Sequence, residues 1–266
     1  MQLDKVCAVI TGGASGMGRA TAEALVAEGA KVCIVDFNQE RCEEAAAAMG
    51  DAAYYECADV SDPAKAEEIV KNAVEKFGYV NVVINCAGVG SGSRILPRDG
   101  GVFPLDSFKK IIDINLIGTF NYICYGALAM STAPENEDGE RGVIISVTSQ
   151  ALELGQIGQA AYSASKGAVS SMTLPIAREL ARYGIRINTI APGLVVTNMT
   201  NLEHIGKPRP PLPEGDLDPA AKDIIFPRRR GKASEFASLA VEVIRNSLIN
   251  GASLPLDGAI RFSPKW

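Results

Sequence analysis

Histidine and tryptophan occur once each in this chain of 266 residues, and aromatic residues make up only 6% of it. The single histidine, His204, leaves no partners for a Ser-His-Asp nucleophile or for a zinc site built on imidazoles. Six cysteines are present (Cys7, Cys33, Cys42, Cys57, Cys86 and Cys124), yet no two stand at CxxC spacing and no paired framework is visible. Several lie in apolar runs, where cysteine behaves as a small hydrophobe, so a reduced setting and no metal site are expected. Basic residues are outnumbered, 26 Lys and Arg against 31 Asp and Glu, which argues against a uniform basic face for nucleic acid. No uninterrupted apolar run approaches the ~20 residues needed to cross a bilayer. The opening MQLDKVCAVIT enters an apolar strand pattern almost at once, with neither signal-peptide regions nor an Arg/Ser-rich transit composition. A cytoplasmic protein without nucleic-acid or membrane partners is therefore expected.

What is present is a repeating alternation. Short β-branched runs at 5–11, 31–36, 54–59, 80–85, 142–147, 185–190 and 253–256 read as strands. Between them lie helical patterns at 18–28, after Gln39, after Asp62-Pro63, and around 108–130, 159–183 and 234–249. Near-continuous apolar strands are what a parallel sheet requires when helices cover both faces. The expectation is one α/β domain over 1–266, a Rossmann-like doubly wound parallel sheet of about seven strands. Two segments break the rhythm. Residues 131–141 are polar and turn-rich, as in a surface loop, and a proline-rich stretch at about 198–230 is too long for an ordinary βα loop. Its place after a strand's carboxyl end reads as a substrate lid.

Between the first strand and first helix lies Thr11-Gly12-Gly13-Ala14-Ser15-Gly16-Met17-Gly18. The spacing is T-G-x-x-x-G-x-G, not G-x-G-x-x-G, but the physics is shared. Gly12, Gly16 and Gly18 permit a tight turn and close backbone approach, while the helix start offers free N–H groups to a pyrophosphate. Ser15 adds a hydroxyl donor, and Met17 lies inside the turn. Asp36 ends the second strand; a carboxylate there accepts from both hydroxyls of an adenine ribose and repels a 2′-phosphate, which points to NAD. Downstream, Tyr162 and Lys166 stand four apart on a helical pattern and so share a face. An ammonium near a phenol favours the phenolate and brings it toward use as a general acid/base. Ser149 closes a strand and is placed to hold a carbonyl or alcohol oxygen.

With these residues in view, the chain resembles the short-chain dehydrogenase/reductases over nearly its whole length. The likeness rests on Thr11–Gly18, Asp59-Val60, Asn85-Cys86-Ala87-Gly88, Asn115, Ser149, Tyr162-x-x-x-Lys166 and Pro192-Gly193. The resemblance implies that Tyr162 exchanges the proton, Ser149 holds the substrate oxygen, and Lys166 binds the nicotinamide ribose and depresses the tyrosine pKa. It implies that Asn115 supports a water-linked proton relay and that Asp59 and Val60 meet the adenine. Asn85, Cys86, Ala87 and Gly88 would pass beside the cofactor, and Pro192, Gly193, Val195 and Thr197 would reach the nicotinamide side. Cys86 departs from the asparagine common at its position.

Within the family, the run Gly155 to Gly167 and Met172 to Arg178 is similar to the type 2 3-hydroxyacyl-CoA dehydrogenase branch, which also takes hydroxysteroids. That resemblance implies conversion of a 3-hydroxyacyl-CoA to a 3-oxoacyl-CoA, a pocket lined by Gln156, and a homotetramer. Alternatives are a hydroxysteroid or other secondary alcohol as substrate, or a non-catalytic NAD-binding scaffold; a scaffold has no need of Ser149, Tyr162 and Lys166 together. His204, Asp113 and Glu153 read as ordinary solvated or capping side chains. Arg228-Arg229-Arg230 reads as a solvated face, with contact to CoA phosphates as the sharper alternative.

Overall fold

Strand β1 (Cys7–Thr11) is uncharged and buried along its whole length, so it can only occupy the middle of a sheet covered on both sides. In the computed structural model, which describes residues 1–90, 92–98, 100–197 and 221–261, it does so. The other strands are β2 (Lys31–Asp36), β3 (Ala53–Cys57), β4 (Val82–Asn85), β5 (Gly142–Val147), β6 (Ile185–Pro192) and β7 (Ser253–Leu256). All pair in parallel in the order β3-β2-β1-β4-β5-β6-β7. The expected doubly wound, seven-stranded sheet is thus present. The order reverses between β1 and β4, and open α/β sheets bind ligands in the crevice outside the strand ends at such a point.

Helices α1 (Gly16–Ala27), α2 (Gln39–Met49), α3 (Pro63–Phe77), α4 (Leu105–Ile112), α5 (Gly118–Met130), α6 (Ala151–Leu154), α7 (Ala160–Leu180) and α8 (Ala233–Arg245) complete the layers. Their boundaries follow local chemistry. Asp62 caps α3 by accepting from Ala64 N (2.9 Å) and Lys65 N (3.2 Å), Pro63 takes the first turn, and Gly78 closes it at φ 92°. Alternation along each strand then feeds two cores. Ile10, Ile34, Ile84 and Ile145 face Leu25 and Phe236 on one side; Val9, Val35, Val83 and Ile144 face Tyr122, Ile123 and Ala177 on the other. Truncating a fully buried Phe236 to alanine removes about 3–5 kcal/mol.

Three departures from the sequence reading matter below. The single helix expected around 108–130 is interrupted: Asp113–Ile117 winds as a π-helix between α4 and α5. The run Leu105–Met130 is long and apolar enough to cross a membrane by length and composition, yet here Tyr122, Ile123 and Met130 pack into the second core. The loop at 131–141 is not wholly on the surface, because Glu140 is buried and binds Arg186 Nε at 2.8 Å. The short helix α6 has no counterpart in the reading, since four residues carry too little periodicity.

Candidate active site

The carboxyl ends of β1, β2, β4, β5 and β6 bring the singled-out residues to one edge. Gly12 adopts φ 63°, and a Cβ there would lie 2.7 Å from Ala87 N, so the glycine turn leans directly on the chain leaving β4. Thr11 Oγ1 accepts from Ala87 N (3.3 Å), and Thr11 O from Cys86 N (3.0 Å), fixing that contact. Gly18 closes onto the Gly12 carbonyl, and Gly16 abuts the Thr197 side chain. Ser15 is the N-cap of α1, but its hydroxyl makes no capping bond, and Met17 is half-buried beside it. The turn and helix start therefore form an anion-binding concavity with a spare hydroxyl.

Asp36 is nearly buried at the end of β2. Burial pushes its carboxyl above the ordinary carboxylate range, against the backbone N–H groups of Asn38, Ala14 and Phe37 and the charge of Arg41. Asp59 is exposed and accepts from Ser61 N and Oγ (2.9 and 2.7 Å). Val60 is buried; its carbonyl accepts from Asn121 Nδ2 (3.0 Å), and Gly118 leaves room for its side chain. Cys86 has its thiol pushed up to about 12 by burial, with the Lys166 charge opposing. Asn85 donates from its side-chain amide to Ser146 Oγ (3.2 Å), stitching β4 to β5 within the sheet.

Tyr162 and Lys166 occupy successive turns of α7, with Lys166 Nζ 5.9 Å from the tyrosine ring centroid. Lys166 is 4% exposed and donates to Val147 O at 2.8 Å, two residues before Ser149. Burial lowers its pKa to about 8. Burial also raises the Tyr162 phenol above its ordinary value, and the Ser149 hydroxyl, hydrogen-bonded to it, pulls the other way. Burial is the larger of these two influences on the phenol in the ligand-free fold. Ser149 Oγ also accepts from Ala151 N (3.1 Å), which orients it at the start of α6.

Asn115 lies in the π-helix and is fully buried. Its Oδ1 accepts from Val89 N (2.8 Å), and its Nδ2 donates to Val89 O (2.9 Å) and Ser165 Oγ (3.0 Å). Its side chain is thus committed to clamping the chain after β4 against α7. Gly88 sits between this clamp and Lys166 in a tight fit: a Cβ would lie 3.2 Å from Asn115 Oδ1 and 3.4 Å from Lys166 Nζ. Pro192 O accepts from Gln150 N and Gly193 N donates to Leu256 O, both at 3.0 Å, tying β6 to the serine segment and β7. Val195 is buried and bridges to Gly231; Gln156 N donates to Gln159 Oε1 (2.9 Å) in the turn before α7.

Residues 198–220 of the expected lid, with His204, lie outside the described residues; 221–230 are described. Sequence reasoning placed Thr11 in the glycine motif without a role for its hydroxyl, and missed Val147 and Ser165. Of those two only Ser165 left a signal, one turn after Tyr162. Among the described residues no group of three or more His, Cys, Asp or Glu side chains is placed to hold a metal.

A family model described as short chain dehydrogenase matches residues 6–206. The chain is 43% identical to 3-hydroxyacyl-CoA dehydrogenase type-2 of Drosophila melanogaster, over 96% of this chain and 97% of that one. It is likewise 43% identical to the Homo sapiens protein of that name, over 97% and 95%. The crystal structure of 3-hydroxyacyl-CoA dehydrogenase type-2 from Mycobacterium avium superposes with a TM-score of 0.87 at 36% identity, covering 97% of this chain and 96% of that chain.

Proposed function

The chain belongs to the short chain dehydrogenase family and is an oxidoreductase of secondary alcohols, and from this premise we propose that it oxidises a 3-hydroxyacyl-CoA to the 3-oxoacyl-CoA with NAD. The observation that carries the chemistry is the convergence of Ser149, Tyr162 and Lys166 beside the glycine turn. The acyl-CoA assignment is supported by the full-length likeness to relatives bearing that name.

The residues fit a dinucleotide. Gly12, Ser15, Gly16, Met17 and Gly18 take the pyrophosphate at the start of α1, and Asp36 takes the adenine ribose hydroxyls. Asp59 and Val60 flank the adenine; Cys86, Ala87, Gly88 and the run Pro192, Gly193, Val195 and Thr197 line the path to the nicotinamide. When bound, the nicotinamide supplies the hydride acceptor and a positive charge beside Tyr162. Lys166 holds a ribose hydroxyl with the donors that Val147 leaves over. Ser149 donates to the substrate oxygen, and Tyr162 takes the hydroxyl proton as the carbonyl forms. Asn115 keeps α7 in register with the β4 exit, and Gln156 borders the substrate.

We place this enzyme in the cytoplasm as a homotetramer. Six free cysteines suit a reducing compartment. Ile117, Phe120, Cys124 and Leu128 form an exposed stripe at helical spacing along α5, suited to subunit packing. The deciding experiment records nicotinamide absorbance with NAD or NADP against hydroxyacyl-CoAs, hydroxysteroids and simple alcohols. A higher kcat/KM for NAD with a hydroxyacyl-CoA is expected; preference for a steroid, or for NADP, would replace that part of the reading. Turnover undiminished in Tyr162→Phe would sink the mechanism.

A further inference from the structure

Asn121 is a polar side chain in a row of core residues. Tyr122 and Ile123 beside it pack into the second core, and Asn121 itself is 9% exposed. A buried amide needs a partner, and its Nδ2 finds one 61 positions earlier, donating to Val60 O at 3.0 Å. One turn before it, on the same face of α5, Gly118 brings the helix backbone against the same residue. A Cβ on Gly118 would lie 2.6 Å from Val60 Cγ2 and 3.3 Å from the Val60 carbonyl carbon. Asn121 thus draws Val60 onto α5, and Gly118 sets how close it comes.

Val60 belongs to the short turn that leaves β3 beside Asp36. Ala58 N donates to Asp36 O (3.0 Å), which ties the start of the turn to the end of β2. The bonds from Ser61 N and Oγ to Asp59 Oδ1, and from Asp62 N to Asp59 O (3.2 Å), lie within the turn and fix its shape, not its place. Its place is held by Asp36 on the sheet side and by α5 on the helix side. The helical run that carries Asn121 also carries Asn115, which clamps the exit of β4 at Val89. One run therefore sets two of the strand exits at the edge where the glycine turn lies.

Resting on the dinucleotide reading above, we propose that Asn121, seated by Gly118, is a positioning residue for the adenosine half of the cofactor. It holds Val60, and through the turn Asp59, at the depth where they flank the adenine while Asp36 receives the ribose. A turn already held in its bound place does not have to be ordered when the ligand arrives, and that saving appears as affinity. Asn121 acts through Val60 and not on the reacting atoms. Its removal loosens the adenosine half and leaves Ser149, Tyr162 and Lys166 as they are, so binding weakens while the chemical step keeps its rate.

Titrating the full chain with NAD, ADP-ribose and nicotinamide mononucleotide separates the two halves of the cofactor, and steady-state rates at varied NAD separate binding from turnover. Asn121→Ala is expected to raise Kd for NAD and for ADP-ribose alike, by about three- to tenfold, as the loss of one neutral hydrogen bond implies. Kd for nicotinamide mononucleotide and kcat at saturating NAD are expected to keep their wild-type values. Gly118→Ala reaches the same seat from the other side. It favours the helix, so the chain folds even where Asn121→Ala does not, but it pushes Val60 off α5, and the same selective loss is expected. Equal losses for ADP-ribose and nicotinamide mononucleotide, a fall in kcat at unchanged Kd, or a lowered melting temperature with wild-type Kd for ADP-ribose would overturn the assignment. Failure of the dinucleotide reading itself is seen separately, in wild type that binds neither NAD nor ADP-ribose; the role of Asn121 falls with it.

Discussion

Two buried cations sit at opposite ends of the same sheet, and they are treated very differently. Arg186, at the amino end of β6, has an acceptor for nearly every donor: Glu140 at 2.7 and 2.8 Å, and the carbonyls of Val243 (2.9 Å), Ile244 (3.1 Å) and Ile249 (2.7 Å). It closes the last turn of α8 and locks the loop at 131–141 to the sheet, a structural use of charge. Lys166, beside the carboxyl end of β5, has among the described residues Val147 O alone and no carboxylate, and a pKa lowered to about 8. A buried cation left short of acceptors is costly to the fold. It is also the one with donors left to offer a ligand.

The comparison breaks most visibly in activity. Replacing Lys166 by Met, or Tyr162 by Phe, is expected to lower kcat/KM by a factor on the order of 10²–10⁴ while thermal melting shows a folded protein. Removing the opposite cation should do the reverse. Arg186→Met strands Glu140 and three carbonyls, with an expected loss of about 3–5 kcal/mol in denaturant titration but little change in kcat per folded molecule.

A pH series sharpens the contrast further. Lys166 is depressed from 10.5 to about 8 in the fold, so below pH 8 both states carry its proton and the folded state bears the full burial cost. Between pH 8 and 10.5 the unfolded chain binds more protons, and stability rises with pH through that window. Lys166→Met should abolish this rise and stabilise the protein at neutral pH by about 1–3 kcal/mol; an unchanged pH profile would show that the lysine is not desolvated. The smallest effect is expected at the buried anion of the same edge. Asp36→Ala should weaken NAD by about tenfold in a fluorescence titration and narrow the gap to NADP.

The central strands were legible because central parallel strands must be apolar throughout, and 31–36 and 142–147 coincide with β2 and β5. The glycine turn and the Tyr162–Lys166 pair were legible because special backbone angles and helical spacing leave marks in residue type. What escaped was carried by backbone or by distance along the chain. Val147 holds Lys166 through a carbonyl, which any residue would provide, and Glu140 finds Arg186 across 46 positions. Spacing says which groups are neighbours, but burial decides which of the competing influences on a proton prevails.

The π-helical turn at Asp113–Ile117 acts as a phase shifter. Each residue advances a helix by about 100°, so one residue wound in without adding to the regular count rotates everything after it by that angle. After the slip, α5 carries Phe120 and Leu128 outward while Tyr122 and Ile123 pack into the second core. Deleting one residue there would swing that apolar row toward the sheet and turn Tyr122 toward water, so which face of α5 meets the core is set by a single extra residue.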